Sequence, residues 1–147
     1  MWGVGCILFE MASGIPLFPG STVEEQLLLI FRILGSPNES SWPGITQNME
    51  YIKHDFPYFA QEPLISRIPS LDSEGLSLLT AFLRYDTKSR ISATDALTSP
   101  YFASLGKRVH RLPETVSIFT LPGIGLTRDL KCQSRYVFGW SLSMNAN

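Results

Sequence analysis

Few residues of this 147-residue chain have both the chemical type and the grouping that catalysis or metal binding needs. His54 and His110 are far apart in sequence, and both are expected to be surface or loop histidines. Cys6 and Cys132 are too few to form a zinc site by themselves. The sequence contains no G-x-S-x-G elbow and no phosphate-binding glycine loop. It therefore predicts no catalytic, cofactor or metal site of its own.

Composition predicts a soluble globular protein, with 44% hydrophobic and 17% charged residues. Residues 1–102 hold eleven acidic and six basic side chains, whereas residues 103–147 hold two acidic and six basic ones. This basic excess is too dispersed for a nucleic-acid face and predicts a solvated tail. No apolar run reaches the ~18–20 residues of a membrane span. The cysteine usage favours a reducing compartment: the cytoplasm, with the nucleus as an alternative.

The first predicted helix, from about Met1 to Ser13, is apolar nearly all round. Such a helix is normally buried at the centre of something larger. Gly14 and Pro16 supply its stop signals. The helix has no N-cap residue ahead of it, so we expect a truncation or a start at an internal methionine.

A second helix is predicted to open at Ser21 and Thr22, where two overlapping capping boxes occur, and to end at Gly35. Its predicted apolar stripe comprises Val23, Leu27, Ile30 and Leu34. Residues 36–70, here called the insert, are rich in proline and glycine. Long irregular connections inside a compact domain often serve recognition.

Two further helices are predicted after the insert. Asp72 is a good N-cap for the first of them, and Ser92 caps a short helix that ends before Pro100. The apolar stripe of the longer helix comprises Leu76, Leu79, Phe82 and Leu83. No strand ladder is evident, so the predicted fold class is all-α. Between these helices lies Arg90, which pattern alone predicts as an exposed loop arginine; the alternative is a buried guanidinium with a carboxylate partner.

Several segments together resemble the large lobe of cyclin-dependent protein kinases. Residues 1–7 are similar to the F-helix motif D-x-W-S-x-G-C, and residues 17–37 to the G helix. Trp42-Pro43-Gly44 and Phe56-Pro57 resemble landmarks of the family's insert, and residues 71–102 resemble the H and I helices with the arginine loop between them. Residues 105–119 look like the tail of the PCTAIRE subfamily.

This resemblance implies a domain organisation and four structural residues. Residues 1–102 would be helices F to I of the large lobe of a bilobal kinase fold, with an irregular insert. Residues 103–147 would be a tail that is largely extended or disordered. Ile7 and Met11 take positions that support the side chains beneath the adenine, and Trp2 is the tryptophan of the motif. Arg90 takes the position of the arginine that pairs with the glutamate of A-P-E, which reverses the prediction from pattern.

The resemblance also implies an activity for the parent protein: transfer of the ATP γ-phosphoryl, with Mg²⁺, to serine or threonine of proteins. The Gly-rich loop, H-R-D, D-F-G and A-P-E are absent from these 147 residues, so the chain alone is predicted to be inactive. The expected partners are the remainder of the kinase domain, a cyclin for the parent kinase, and protein substrates or regulators.

Two alternatives to an enzyme part remain open at the level of sequence. One is a non-catalytic interaction module formed by about residues 21–59, which comprise the G helix and most of the insert, with Trp42, Phe56, Glu25 and Leu29 as its candidate partner surface. For Trp42 and Phe56 a packing role is the more frequent alternative, because large aromatic side chains favour burial. The other alternative is a truncated gene product without a separate role.

Overall fold

The computed structural model describes residues 1–113, 115–117 and 120, and this part of the chain is helical with no strand. The all-α prediction is therefore confirmed. The chain divides into two compact units, Met1–Ser104 and Leu105–Asn147, which are described separately. The α-helices are α1 Trp2–Ser13, α2 Val23–Leu34, α3 Met49–His54, α4 Ser73–Phe82, α5 Ala93–Leu97 and α6 Gly106–His110. Short 3₁₀ helices cover Ile45–Gln47, Leu64–Ser66 and Pro100–Leu105.

Side-chain caps fix the starts of the helices in the first unit. The Thr22 hydroxyl accepts from the backbone N–H of Glu25 at 3.2 Å, and the Glu25 carboxylate accepts from the N–H of Ser21 at 2.8 Å. Asp72 and Ser92 accept in the same way from residues three positions on, at 2.7 and 3.1 Å. These bonds satisfy N–H groups that have no partner within the helix. The capping predictions are confirmed.

The core of the first unit forms where α1 packs on α4. A Cβ added at Gly5 would lie 2.7 Å from the Cβ of Phe82, so only glycine permits this close approach. The main buried cluster comprises Phe9, Leu17, Ile33, Leu64, Ile68, Leu71, Leu79 and Leu83. Burial of apolar surface of this kind is the dominant favourable term in folding. The contact between α1 and α4 therefore holds the unit together.

Helix α2 differs from its predicted apolar stripe. Val23, the first residue of that stripe, is 72% exposed, while Phe31 and Ile33 are the buried residues of the helix. Phe31 packs on two aromatic rings of the insert and Ile33 joins the main buried cluster, whereas residues 23–25 are exposed. Periodicity counts apolar residues but does not reveal where the supporting surface ends.

The insert contains more regular structure than the sequence predicts. Helix α3 is capped by Asn48, whose side-chain oxygen accepts from the N–H groups of Glu50 and Tyr51, both at 3.1 Å. This helix has six residues and no buried one, so it shows no apolar stripe that a sequence pattern could detect.

The second unit begins with a helix where the sequence predicts an extended tail. Helix α6, Gly106–His110, begins at Gly106, which has a left-handed φ of 78°. Most of the predicted tail, including Cys132, lies outside the described residues. Across the described part of the chain, no helix has the length and apolarity needed to cross a membrane.

Candidate functional site

Helix α1 presents two faces that differ in their surroundings. Gly5 and Phe9 are buried against the core of the unit, and Trp2 and Cys6 are half-buried beside them. The opposite face carries Val4, Ile7 and Met11, which are 47%, 57% and 80% exposed. Their spacing of three and four residues aligns them in one stripe on the helix. This stripe is called the open face of α1 below.

The open face contains both residues that the family resemblance assigns to support of the adenine site. Ile7 and Met11 lie one turn apart and contribute its two most exposed side chains. Their role toward the nucleotide stays a prediction. Helix α1 therefore has apolar residues on both faces, but only the face with Gly5 and Phe9 is buried. An exposed apolar face of this kind is expected where a second segment packs on the helix.

Arg90 is held by backbone carbonyls of its own loop. Its Nε donates to the carbonyl of Arg84 at 2.9 Å, and its Nη2 donates to the carbonyl of Tyr85 at 3.1 Å. No carboxylate of the described residues lies within 4.0 Å of this guanidinium. Arg90 is half-buried and fixed in direction, so it combines features of both sequence interpretations. Its pairing with the glutamate of A-P-E stays a prediction.

Trp2 supports Arg90 from the α1 side. The guanidinium carbon lies 5.2 Å from the centroid of the Trp2 ring, which is cation–π geometry. The same ring stacks on Phe18 with centroids 6.0 Å apart and an interplanar angle of 20°. Trp2 therefore joins the start of α1 to the arginine loop and to the segment before α2.

Tyr85 connects this arginine site with the insert, and sequence reasoning missed it. Its hydroxyl donates to the carbonyl of Gly35 at 2.7 Å, and its ring lies 6.1 Å from that of Trp2 and 6.2 Å from that of Phe31. Burial, with a smaller contribution from nearby Tyr51, raises the pKa of Tyr85, so the phenol stays a neutral donor. The only signal in the sequence is an aromatic residue at the edge of a polar loop.

Trp42 and Phe56, two candidates for a partner surface, both pack on neighbouring aromatic rings. The Trp42 ring stacks on Tyr85 with centroids 5.9 Å apart and an interplanar angle of 12°. Phe56 meets Phe31 edge-on at 5.1 Å and stacks on His54 at 5.5 Å. Trp42 keeps 37% of its surface exposed and Phe56 is half-buried. Both side chains contribute to packing in this unit.

Glu25 and Leu29, the other two candidates, lie on α2. The Glu25 carboxylate is engaged at the start of the helix, where it accepts from Ser21. Leu29 is half-buried. The structure assigns a capping role to Glu25, and a partner-binding role for either residue stays a prediction.

The described residues bring together no constellation suited to covalent or metal chemistry. Among them, no group of three or more His, Cys, Asp or Glu side chains could hold a metal ion. His54 approaches Glu50 at 4.0 Å, which is a pair rather than a ligand set. Burial, and then the charge of Glu10, raises the pKa of the Cys6 thiol, so the thiolate needed for nucleophilic attack is disfavoured.

Comparison with known proteins identifies the family. Residues 1–102 match the protein kinase domain, and this match spans more than half of the chain. The chain therefore belongs to the protein kinase domain family.

Two individual relatives support the cyclin-dependent type within the protein kinase family. The chain is 41% identical over 130 residues to Cyclin-dependent kinase 17 of Caenorhabditis elegans, covering 88% of this chain and 20% of that protein. It is 44% identical over 107 residues to Cell division control protein 2 homolog D of Antirrhinum majus, covering 73% of this chain and 34% of that protein. The recognition of a cyclin-dependent-type kinase is confirmed, and the PCTAIRE-like tail is consistent with the first relative. The chain spans about a fifth and about a third of the length of these two relatives.

Proposed function

We propose that residues 1–104 form the scaffold and substrate-side part of the large lobe of a cyclin-dependent-type serine/threonine kinase. The whole protein would transfer the γ-phosphoryl of ATP, with Mg²⁺, to serine or threonine of protein substrates. The single observation that carries this proposal is the open face of α1. A row of exposed apolar side chains on a helix whose other side is already buried marks an interface.

The arginine site gives independent support. Arg90 is oriented by two carbonyls and the Trp2 ring, yet its charge has no carboxylate partner within the described residues. A guanidinium that is fixed in this way is preorganised for a carboxylate on another segment. The glutamate of the family's A-P-E motif would be that partner.

The 147-residue chain alone is proposed to be inactive. Phosphoryl transfer needs a lysine for the phosphates, acidic groups for Mg²⁺ and a catalytic aspartate, and the motifs that supply them are absent from this sequence. Incubation of the purified chain with labelled ATP, Mg²⁺ and a serine-containing protein substrate should give no transfer above the blank. Transfer that depends on the chain would refute this part of the proposal.

A chimera tests the scaffold role directly. Residues 1–104 would replace the aligned segment of the C. elegans relative, and the chimera should phosphorylate a protein substrate of that relative. The double variant Ile7→Glu/Met11→Lys should lose this activity, because it places charges on the interface proposed for α1. Leu97→Lys, a change at an exposed residue of α5, should retain it. Equal activity of the two variants would contradict the proposal.

Partners and location follow from the same proposal. A cyclin would bind the parent kinase mainly through its small lobe, whose motifs this chain lacks. The protein would act in the cytoplasm or the nucleus, where thiols such as that of Cys6 stay reduced.

A second candidate function, a protein-interaction module, is favoured by the surface of the insert. Met49, Ile52 and Tyr58 are large hydrophobic residues that lie exposed within ten positions of one another. An excess of the chain, added to the active C. elegans relative, should then reduce phosphorylation of a protein substrate by competing for it. The double variant Met49→Lys/Ile52→Lys should compete less well. Absence of any inhibition would remove this candidate.

A further inference from the structure

A cavity of about 580 Å³ lies between the end of α2, the insert and the loop after α4. This volume falls within the range of about 300–1,000 Å³ that is typical of ligand sites. Leu34, Leu64 and Leu83 contribute apolar surface to its lining. Among the described residues that line it, Arg84 is the only charged one. The cavity therefore combines apolar surface with a single positive charge.

The charge of Arg84 is not neutralised within the described part of the chain. Its Nη1 donates to the carbonyl of Ser89 at 3.2 Å, and no described carboxylate lies within 4.0 Å of it. A guanidinium has five N–H donors, so most of them remain for a ligand or for water. The contact with Ser89, which also lines the cavity, fixes one edge of the guanidinium.

Asp86 and Glu39, two acidic residues adjacent in sequence to residues that line the cavity, accept hydrogen bonds from other donors. The carboxylate of Asp86 accepts from the backbone N–H of Lys88 at 3.0 Å. That of Glu39 accepts from the N–H groups of Gly44 and Thr46, at 2.7 and 2.9 Å. Neither carboxylate lies within 4.0 Å of the Arg84 guanidinium.

Polar side chains of the lining can assist a ligand. Gln61 and Tyr58 both line the cavity, and no described residue hydrogen-bonds to either side chain. Together with Arg84 they offer donors around an apolar wall. A ligand that fits this lining carries a negative charge on an apolar body, since none of the described residues that line the cavity is acidic.

We propose that this cavity binds such an anion, a carboxylate or a phosphate monoester, with Arg84 as its charge-assisted partner. Arg84 pairs with the anion through its free N–H groups, and the leucine wall packs on the apolar part. The acidic or phosphorylated side chain of a bound polypeptide has this chemistry. The inference goes beyond the proposed function, because it involves neither ATP nor phosphoryl transfer.

Three small probes test the site on the full 147-residue chain: phenyl phosphate, benzoate and the neutral analogue benzyl alcohol. A ligand that binds the native state raises the thermal unfolding midpoint, which tryptophan fluorescence can follow. The two anions should raise the midpoint and benzyl alcohol should not. A larger effect of phenyl phosphate would identify a phosphate-ester site, and an equal or larger effect of benzoate would identify a carboxylate site.

Matched arginine variants distinguish anion binding in the cavity from a general effect of salt on stability. Arg84→Gln should weaken binding of the anions by roughly tenfold to a hundredfold, as expected when a hydrogen bond to a charged group is lost. Arg32→Gln, which removes an exposed arginine of α2 outside the cavity, should leave binding unchanged. Equilibrium dialysis of labelled phenyl phosphate gives the same comparison without a thermal transition. Equal binding by the parent chain and Arg84→Gln, or a dissociation constant above roughly 10 mM for both anions, would overturn the proposal.

Discussion

The contact between α1 and α4 and the first turns of the insert, residues 38–46, are stabilised by different means. Around Gly5 and Phe82 the two helices approach closely, and buried apolar side chains fill the space between elements. In the insert, carboxylate and amide side chains hold exposed turns: Glu39 binds Gly44 and Thr46, and Asn38 binds the N–H groups of Ser40 and Ser41 at 3.0 Å.

This difference predicts different sensitivities of the two regions. A close-packed apolar contact responds to any change in side-chain volume, because the surroundings relax only partly. Exposed turns tolerate changes in volume but depend on the hydrogen-bond acceptors that organise them. The following substitutions address each region in turn.

The largest effect is expected in the core. Leu79→Ala should lower the free energy of unfolding by about 2–5 kcal/mol, since Leu79 is fully buried and its truncation leaves a cavity. Leu97→Ala, the same change at a residue that is 67% exposed, should alter it by less than about 0.5 kcal/mol. Urea denaturation followed by circular dichroism measures both values. Similar losses for the two variants would show that the α1–α4 region is not the dominant core.

An intermediate effect is expected at Tyr85, which joins the two regions. Tyr85→Phe removes the hydroxyl that donates to Gly35, and leaving a buried carbonyl without its donor costs about 1–3 kcal/mol. Tyr58→Phe is the matched control, because Tyr58 is 83% exposed and should be nearly neutral. The same urea titration gives both numbers. A neutral Tyr85→Phe would show that the aromatic stack alone connects the insert to the arginine loop.

The smallest effect is expected in the insert, and it depends on pH. Hydrogen bonds from the Thr46 side chain, and then from the Gly44 and Thr46 backbone, lower the pKa of Glu39 from its usual range. A lowered pKa means that the carboxylate stabilises the fold above its unfolded-state value and loses this contribution as the pH falls through its folded-state value.

Glu39→Gln should therefore be less stable than the parent chain at neutral pH, and the difference should vanish in acid, below the folded-state pKa of Glu39. The urea midpoint of each protein, followed by tryptophan fluorescence, measures this difference in stability at each pH. Glu24→Gln, at an exposed α2 residue, is the control for charge removal. A difference between the parent chain and Glu39→Gln that persists in acid would contradict the role of the carboxylate.

The sequence predicted the parts of the fold that depend on local signals. Each capping side chain accepts from a backbone N–H only three residues further on, so the helix starts could be predicted. The caps are Thr22, Asp72 and Ser92. Helix α3 could not be predicted from the sequence, because it is short and none of its residues is buried. The exposure of Val23 depends on where the neighbouring surface stops, which is a property of the tertiary structure.

The candidate site was predicted unevenly for the same reason. The family resemblance located Trp2 and Arg90, and the structure brings them together at 5.2 Å. It did not indicate Tyr85, whose importance arises from contacts with residues up to 83 positions away. Nor did any pattern single out Arg84, because the cavity beside it is formed by three separate segments.

The central claim is that the open face of α1 is an interface that needs another polypeptide segment to cover it. Binding of an apolar fluorescent dye to the purified chain measures this exposed surface most directly. The chain should bind the dye, and Ile7→Glu/Met11→Lys should bind much less at unchanged circular dichroism, since a Glu–Lys pair at this spacing is compatible with a helix. Equal dye binding by the parent chain and this variant, or no binding by either, would contradict the account.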